Sequence, residues 1–242
     1  HHDLWDWDHV TGPVLFDVER GGQTIKGVAS AGKNCLMYLW HRETGAPINP
    51  MVETAVPTFS DVPGEQVWPT QPIPYNSRGV PMTPFCATFP ILEDSEAMQR
   101  ARQMYTPYSV NEFYIVAHGG GSWGPPSFSP RTGLLYVTGK DGGIAFTVNP
   151  VGDTLEIGVS NGHTDNIAEG PFRDDMTPMF TVTAYDPVTA ELVWQQTAQT
   201  NSAIGASGNL ATAGDLVLQG TDVGALLAFD ARSGTQLFHF QH

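Results

Sequence analysis

Three carboxylates and two indoles fall within the first eight residues, His1-His2-Asp3-Leu4-Trp5-Asp6-Trp7-Asp8. In an extended backbone Asp6 and Asp8 face one side and Trp5 and Trp7 the other. Carboxylates beside indoles are costly to bury unless they bind a cation or a hydrogen-bond donor. Hard oxygens of this kind suit Ca²⁺. The same string also reads as an acidic patch at a strand end. A lone cation follows at Lys33, within Ala29-Ser-Ala-Gly-Lys33-Asn-Cys-Leu-Met-Tyr38. It reads either as a side chain snorkelling from the end of an apolar strand or as a charge that stabilises negative oxygen on a bound group.

A competing constellation lies further on. His118-Gly-Gly-Gly121 resembles an esterase oxyanion loop, and Gly158-Val-Ser160-Asn-Gly162 fits the G-x-S-x-G motif of a serine hydrolase. That chemistry needs a helix straight after Ser160. The continuation His163-Thr-Asp-Asn-Ile-Ala-Glu-Gly-Pro171 reads instead as loop, and the chain lacks the alternating helices of that fold.

The elements that must position these residues are announced by a repeated turn. His41-Arg-Glu-Thr-Gly45, Ser129-Pro-Arg-Thr-Gly133, Asp186-Pro-Val-Thr-Ala190 and Asp230-Ala-Arg-Ser-Gly234 each adjoin apolar, strand-like runs. Asp or Ser can bond backbone amides across such a turn, and Gly can take positive φ. The turn starts are separated by 88, 57 and 44 residues. The first gap is twice the last, which suggests one disguised turn between 41 and 129. A period near 44 with strand-turn-strand units is the mark of a β-propeller; unrelated hairpins in a β-sandwich are the alternative. Four-stranded antiparallel blades are expected over 1–48 and 113–242. The Pro-rich stretch from about 49 to 112 is expected to be mostly irregular around one helix, Glu93 to Met104. A polar loop is expected from about Asn161 to Asp175.

Composition narrows the class. The chain is 40% hydrophobic and 15% charged, as a compact domain is. Its 26 Gly and 19 Pro suit turns and exclude a helical bundle. A formal net charge of −14 disfavours nucleic acid as a partner. Cys35 and Cys86 fit neither a zinc nor a haem spacing and do not settle the compartment. No apolar run approaches the roughly 18 residues of a membrane-spanning helix.

Several strings resemble the PQQ-dependent dehydrogenases (PQQ, pyrroloquinoline quinone). They are HHDLWDWD, AGKNCLMYLWHRETG at 31–45, PGEQVWPTQPIP at 63–74, GGGSWGPPSFSPRTGLLYV at 119–137 and GNLATAGDLVLQGTDVGALLAFDARSGTQLF at 208–238. They follow the family's order over nearly the whole chain and are most similar to the membrane-associated glucose and polyol branch. The resemblance implies an all-β fold, the C-terminal portion of an eight-bladed propeller with tryptophan-docking repeats. It makes His1-His2 native and the upstream blades, with any targeting signal, absent from this chain. It implies Asp6 as general base and Ca²⁺ ligand. It implies Lys33 as the cation on the quinone oxygens, since the family's sugar-oxidising branch places that residue 27 positions after the Asp, as here. An Asn often approaches the quinone at the end of the L-Y-V strand; here that position is Thr138, with Lys140 nearby. Trp194 keeps the docking Trp, and Phe238 replaces it in the last repeat. The implied activity is oxidation of an alcohol, polyol or aldose in the periplasm, with electrons passed to cytochrome c or ubiquinone. A propeller that kept the fold as a scaffold and lost the cofactor is the alternative.

Overall fold

The computed structural model describes residues 1–5, 7–86, 103–107, 110, 113–116, 124–141, 143–151, 154–163, 179–199 and 207–242. For 113–116, 140–141, 143–151, 154–163, 179 and 199 only the backbone is described. Asp6, His118 and most of the expected helix at 93–104 lie outside these residues. The elements, in chain order, are β1 (Val14–Arg20), β2 (Gln23–Ala31), β3 (Met37–His41), β4 (Met51–Ala55), β5 (Thr70–Pro74), β6 (Phe113–Val116), β7 (Ser127–Ser129), β8 (Leu134–Asp141), β9 (Gly143–Val151), β10 (Thr154–His163), β11 (Met179–Asp186), β12 (Glu191–Gln199), β13 (Asn209–Ala211), β14 (Leu216–Gly220), β15 (Ala225–Asp230) and β16 (Gln236–Gln241).

Two sheets are four-stranded antiparallel blades, β13-β14-β15-β16 and β12-β11-β8-β7. The sheet β1-β2-β3 has three strands, and an isolated bridge between Trp40 and Pro47 stands where a fourth would begin. All four repeated turns close the same way. The amide of the fifth residue donates to the carbonyl of the first: Gly45 to His41, Gly133 to Ser129 and Ala190 to Asp186 at 2.8 Å each, Gly234 to Asp230 at 2.9 Å. Asp186 and Asp230 cap amides inside their own turns as expected. The register shifts between Ala184 and Tyr185 in one blade and between Ala228 and Phe229 in the other recur at the same repeat position.

The reading of the 88-residue gap needs correction. The turns at 41, 186 and 230 follow the third strand of their sheets, whereas the turn at 129 joins the first two strands, β7 and β8. Positions 41 and 129 are therefore not equivalent, and no lost turn is needed between them. The extra length lies in insertions. One is β4-β5, a hairpin in the stretch expected to be irregular, with Met51 opposite Pro74 and Ala55 opposite Thr70. The other is the β9-β10 hairpin, placed between β8 and β11 and paired with β6 in a separate three-stranded sheet. Alternation at Ile144, Phe146 and Val148, answered by Leu155, Ile157 and Val159, is the period-two pattern behind it. β10 takes in Asn161 to His163, so a strand replaces the start of the expected polar loop.

Neighbouring sheets dock through the turns. The Trp194 indole N–H donates to the Ala231 carbonyl at 3.0 Å, and the Tyr136 hydroxyl donates to the same oxygen at 3.0 Å. The position four residues past Gly45, equivalent to Trp194, is Asn49, whose amide donates to the Val188 carbonyl in the next turn at 3.0 Å. An amide thus makes the link between the first two of these sheets that an indole makes between the next two. Phe238, the last copy, is half exposed.

Gly234 has φ +72°, and an added Cβ would meet the Trp194 ring at 2.6 Å; Gly45 has φ +73° with nothing within 4 Å. Left-handed backbone alone costs an alanine about 1–2 kcal/mol. Gly234→Ala should therefore destabilise the protein by roughly 1–3 kcal/mol more than Gly45→Ala, the added cost of overpacking. Urea unfolding of both variants measures the difference. Equal losses would mean that the Trp194 ring does not lock the blades. Ala190 holds φ 56° at the equivalent position, and its methyl, buried in one hydrophobic cluster with Leu135, Val137 and Tyr185, offsets that cost.

Candidate active site

Among the described residues of 1–13 there is no strand, and the chain takes a bend at Leu4 and Trp5. Asp3 makes it, each carboxylate oxygen accepting one amide, from Trp5 and from Trp7, both at 2.8 Å. Trp5 and Trp7 still share a side and stack at 5.2 Å, and Tyr105 meets both edge-on. The Trp5 indole N–H donates to the Thr106 carbonyl at 2.6 Å. The Trp7 indole N–H is buried and finds no acceptor among the described residues.

Lys33 sits in the turn between β2 and β3, not on a strand. Gly32 and Leu36 close this turn, and the Lys33 amide donates to the Asp8 carbonyl at 3.2 Å. The ammonium reaches the Asp8 carboxylate at 2.7 Å. The Lys33 side chain is 8% exposed and that of Asp8 53%. Lys33 is therefore not a snorkelling surface residue: its charge is buried and its counter-ion faces out. A Cβ on Gly32 would meet Asn34 Oδ1 at 2.6 Å and His9 Nε2 at 3.1 Å, so residues 8–9 and 32–34 interlock only around a glycine.

Asn34 extends the arrangement. Its amide donates to the Tyr38 hydroxyl at 3.0 Å and the Tyr105 hydroxyl at 3.2 Å, while its oxygen accepts the Leu36 amide. Burial raises both phenols above their ordinary range, so they remain neutral hydroxyls. Burial lowers His9 against the opposing charge of Asp8, and the neutral ring shares a 2.7 Å hydrogen bond with Ser30. Trp5, Trp7, His9, Asn34, Tyr38 and Tyr105 line a cleft of about 660 Å³. The Asp8–Lys33 pair stands beside it, next in sequence to Trp7, His9 and Asn34.

The turn is anchored from behind. Cys35, at φ 64°, is disulfide-bonded to Cys86 across 51 residues, with Cα atoms 5.5 Å apart. The Phe85 amide donates to the Cys35 carbonyl at 3.0 Å. The Phe85 carbonyl accepts from Thr181, from Thr183 at 3.1 Å and from Gln195 at 3.2 Å. Segment 82–86 therefore ties the Lys33 turn to strands β11 and β12 of the next blade. Loop closure of this length stabilises by about 4 kcal/mol in the chain-entropy description.

Thr138 is buried in β8 away from this turn's bonding network. Its hydroxyl donates to Gln219 at 2.7 Å and accepts from Asn209 at 3.3 Å, both in the last blade. Ser160 lies inside β10, which continues to His163. A nucleophile elbow requires a strand-to-helix turn at that serine, so the hydrolase geometry is not present there. Among the described residues, no three His, Cys, Asp or Glu side chains converge as a metal site; Asp6, the expected ligand, lies outside them.

The donor set fits a polyanionic quinone. A buried ammonium and a buried indole N–H are both suited to oxygen acceptors, and flat aromatic faces adjoin them. The sequence pointed to Lys33 through the family resemblance and to Asp8 only as a Ca²⁺-type carboxylate beside Asp6; Asp3, Asn34, Tyr105 and the disulfide were not identified. Asp8 had a signal in the LWDWD string; two cysteines 51 apart had none.

Comparison with known proteins identifies the family of the chain. The family model described as PQQ glucose/ethanol/alcohol dehydrogenase, β-propeller domain, matches residues 1–242. The quinoprotein alcohol dehydrogenase PedE of Pseudomonas putida is 28% identical over 99% of the chain and 34% of its own length. The glycerol dehydrogenase large subunit of Gluconobacter thailandicus is 27% identical over 72% of the chain and 24% of its own length. The quinohemoprotein alcohol dehydrogenase of Comamonas testosteroni shares the fold, with a TM-score of 0.58 at 21% identity over 99% of the chain and 32% of its own. The match thus spans about one quarter to one third of the length of these relatives. It belongs to the PQQ-dependent glucose/ethanol/alcohol dehydrogenase family, as part of that family's β-propeller domain.

Proposed function

We propose that the protein carrying this chain is a PQQ- and Ca²⁺-dependent dehydrogenase that oxidises an alcohol, polyol or aldose, with Asp6 and Lys33 at its active site. The observation that carries the reading is the buried Lys33 ammonium, held against Asp8, two residues from the carboxylate expected to act as base. PQQ, when bound, supplies the two-electron acceptor. This chain's residues bind and orient around it. Lys33 offers a charge-assisted hydrogen bond to quinone oxygen. Asp6 takes the substrate hydroxyl proton and is one of the Ca²⁺ ligands, as a hard carboxylate suits that ion. The aromatic cleft beside the pair offers flat faces to a planar ring system. A bond from Thr138 to the cofactor would require its hydroxyl to release Gln219.

Further blades of the propeller complete the site, and a cytochrome c or ubiquinone takes the electrons. The Cys35–Cys86 disulfide supports an oxidising compartment, which in this proposal is the periplasm.

Reconstitution tests the reading. The full-length protein loaded with PQQ and Ca²⁺ should give dye-linked oxidation of an alcohol, polyol or aldose without NAD. Failure to bind PQQ would leave a scaffold propeller. Ester hydrolysis abolished by Ser160→Ala would restore the hydrolase despite the geometry of β10.

A further inference from the structure

Two contacts join Asp8 to Lys33, and they have different consequences. The peptide oxygen of Asp8 accepts the Lys33 amide at 3.2 Å, which fixes where the turn sits. The carboxylate holds the ammonium at 2.7 Å, which fixes where the charge sits. A lysine has four side-chain torsions, and its ammonium is a mobile point charge unless something restrains it. Here the restraint comes from a residue whose own backbone is anchored nearby. The Asp3 carboxylate holds the Trp7 amide, the Trp5-Trp7 stack is wedged by Tyr105, and His9 packs into the space left by Gly32.

We propose that Asp8 is a positioning residue for Lys33: its carboxylate aims the buried ammonium at the quinone oxygen. This rests on the assignment of Lys33 to the cofactor. It does not make Asp8 a catalytic residue, because Asp8 acts through Lys33. The asymmetry of exposure supports this. The half-exposed carboxylate is hydrated at little cost, whereas the ammonium loses a partner inside the protein if Asp8 is removed. The pair therefore matters more to the lysine than to the aspartate.

A double-mutant cycle separates the possibilities. Full-length apo-protein of wild type, Asp8→Ala, Lys33→Ala and the double variant is titrated with PQQ in excess Ca²⁺ by quenching of tryptophan fluorescence. Lys33→Ala should weaken binding by about 10- to 150-fold, as loss of a charged hydrogen bond does. Asp8→Ala should weaken it about tenfold, a loss of orientation that leaves the charge present. In the Lys33→Ala background the Asp8 substitution should add nothing beyond about twofold, since coupled residues are non-additive. Asp8→Asn, which keeps an acceptor in the same place, should recover part of the loss and serves if the alanine variant folds poorly.

Three outcomes would overturn the proposal. If Asp8→Ala weakens PQQ binding equally in both backgrounds, Asp8 does not act through Lys33. If both Asp8 variants bind as wild type while Lys33→Ala is weak, Lys33 is a cofactor residue and Asp8 does not position it. If Lys33→Ala itself binds as wild type, the assignment of Lys33 fails and takes this proposal with it. Ca²⁺ titration without PQQ adds a fourth check: a weaker Ca²⁺ affinity caused by Asp8→Ala in the Lys33→Ala background would make Asp8 a metal ligand instead.

Discussion

Asp6→Asn is expected to lower turnover of the reconstituted full-length enzyme by about 10²- to 10⁴-fold, the contribution of a general base. The substitution keeps the shape and removes the one function an amide cannot perform, since an amide oxygen does not take up a proton at neutral pH. It also removes one negative charge from the cation site, so Ca²⁺ binds less tightly. The two effects are separated by measuring turnover at saturating Ca²⁺ and PQQ. There the metal deficit is compensated and the loss of the base remains. The stack of Trp5 and Trp7 should survive, because the Asp3 carboxylate holds the backbone amides of both tryptophans. Turnover within about threefold of wild type, far below the general-base range, would place the base elsewhere.

Lys33→Ala should produce a different pattern. PQQ affinity falls by about 10- to 150-fold, the equivalent of a hydrogen bond to a charged group, and turnover falls with it. Ca²⁺ binding in the absence of PQQ changes little, because the lysine is not a ligand. Stability also changes little: the Asp8 carboxylate left behind is half exposed and takes water in place of the ammonium. Lys33→Arg should be milder, since it retains the charge, although the guanidinium fork is broader than an ammonium and must enter a site 8% exposed. Calorimetric titration with PQQ, beside a thermal melt of each apo-protein, tests both halves. An unchanged PQQ affinity would remove Lys33 from the cofactor site, and a collapse of the melt would make it a structural residue.

Much of the fold was legible because its signals are local. The repeated turns are written in adjacent residues: three of the four start with an Asp or Ser that can cap amides, and three end in a Gly that takes positive φ. Each closes with the same backbone bond. The alternating apolar residues of β9 and β10 also lie in the sequence, yet their hairpin could not be placed. Period two identifies a strand without saying which sheet it joins. Here β9 leaves its sequence neighbour β8 and pairs with β6. For the same reason the turn at 129 resembled the turn at 41 although it joins a different pair of strands. Both turns satisfy the same local chemistry, and the difference lies in which strands the chain has already laid down.

The sequence by itself determined that the chain is all-β, that its turns repeat, and that an aspartate and a lysine 27 residues apart match the dehydrogenases of this family. Those properties depend on residue type and short-range spacing, which a linear string preserves. Only the tertiary structure decided what surrounds Lys33. It buried the ammonium, supplied Asp8 as its partner, closed a disulfide across 51 residues behind the turn, and spent the Thr138 hydroxyl on Gln219 in the next blade. Each of these joins groups that approach one another only when separate segments pack, and the free energy that selects them comes from burial shared among those segments. Pairings set by packing leave no mark on the spacing of either partner.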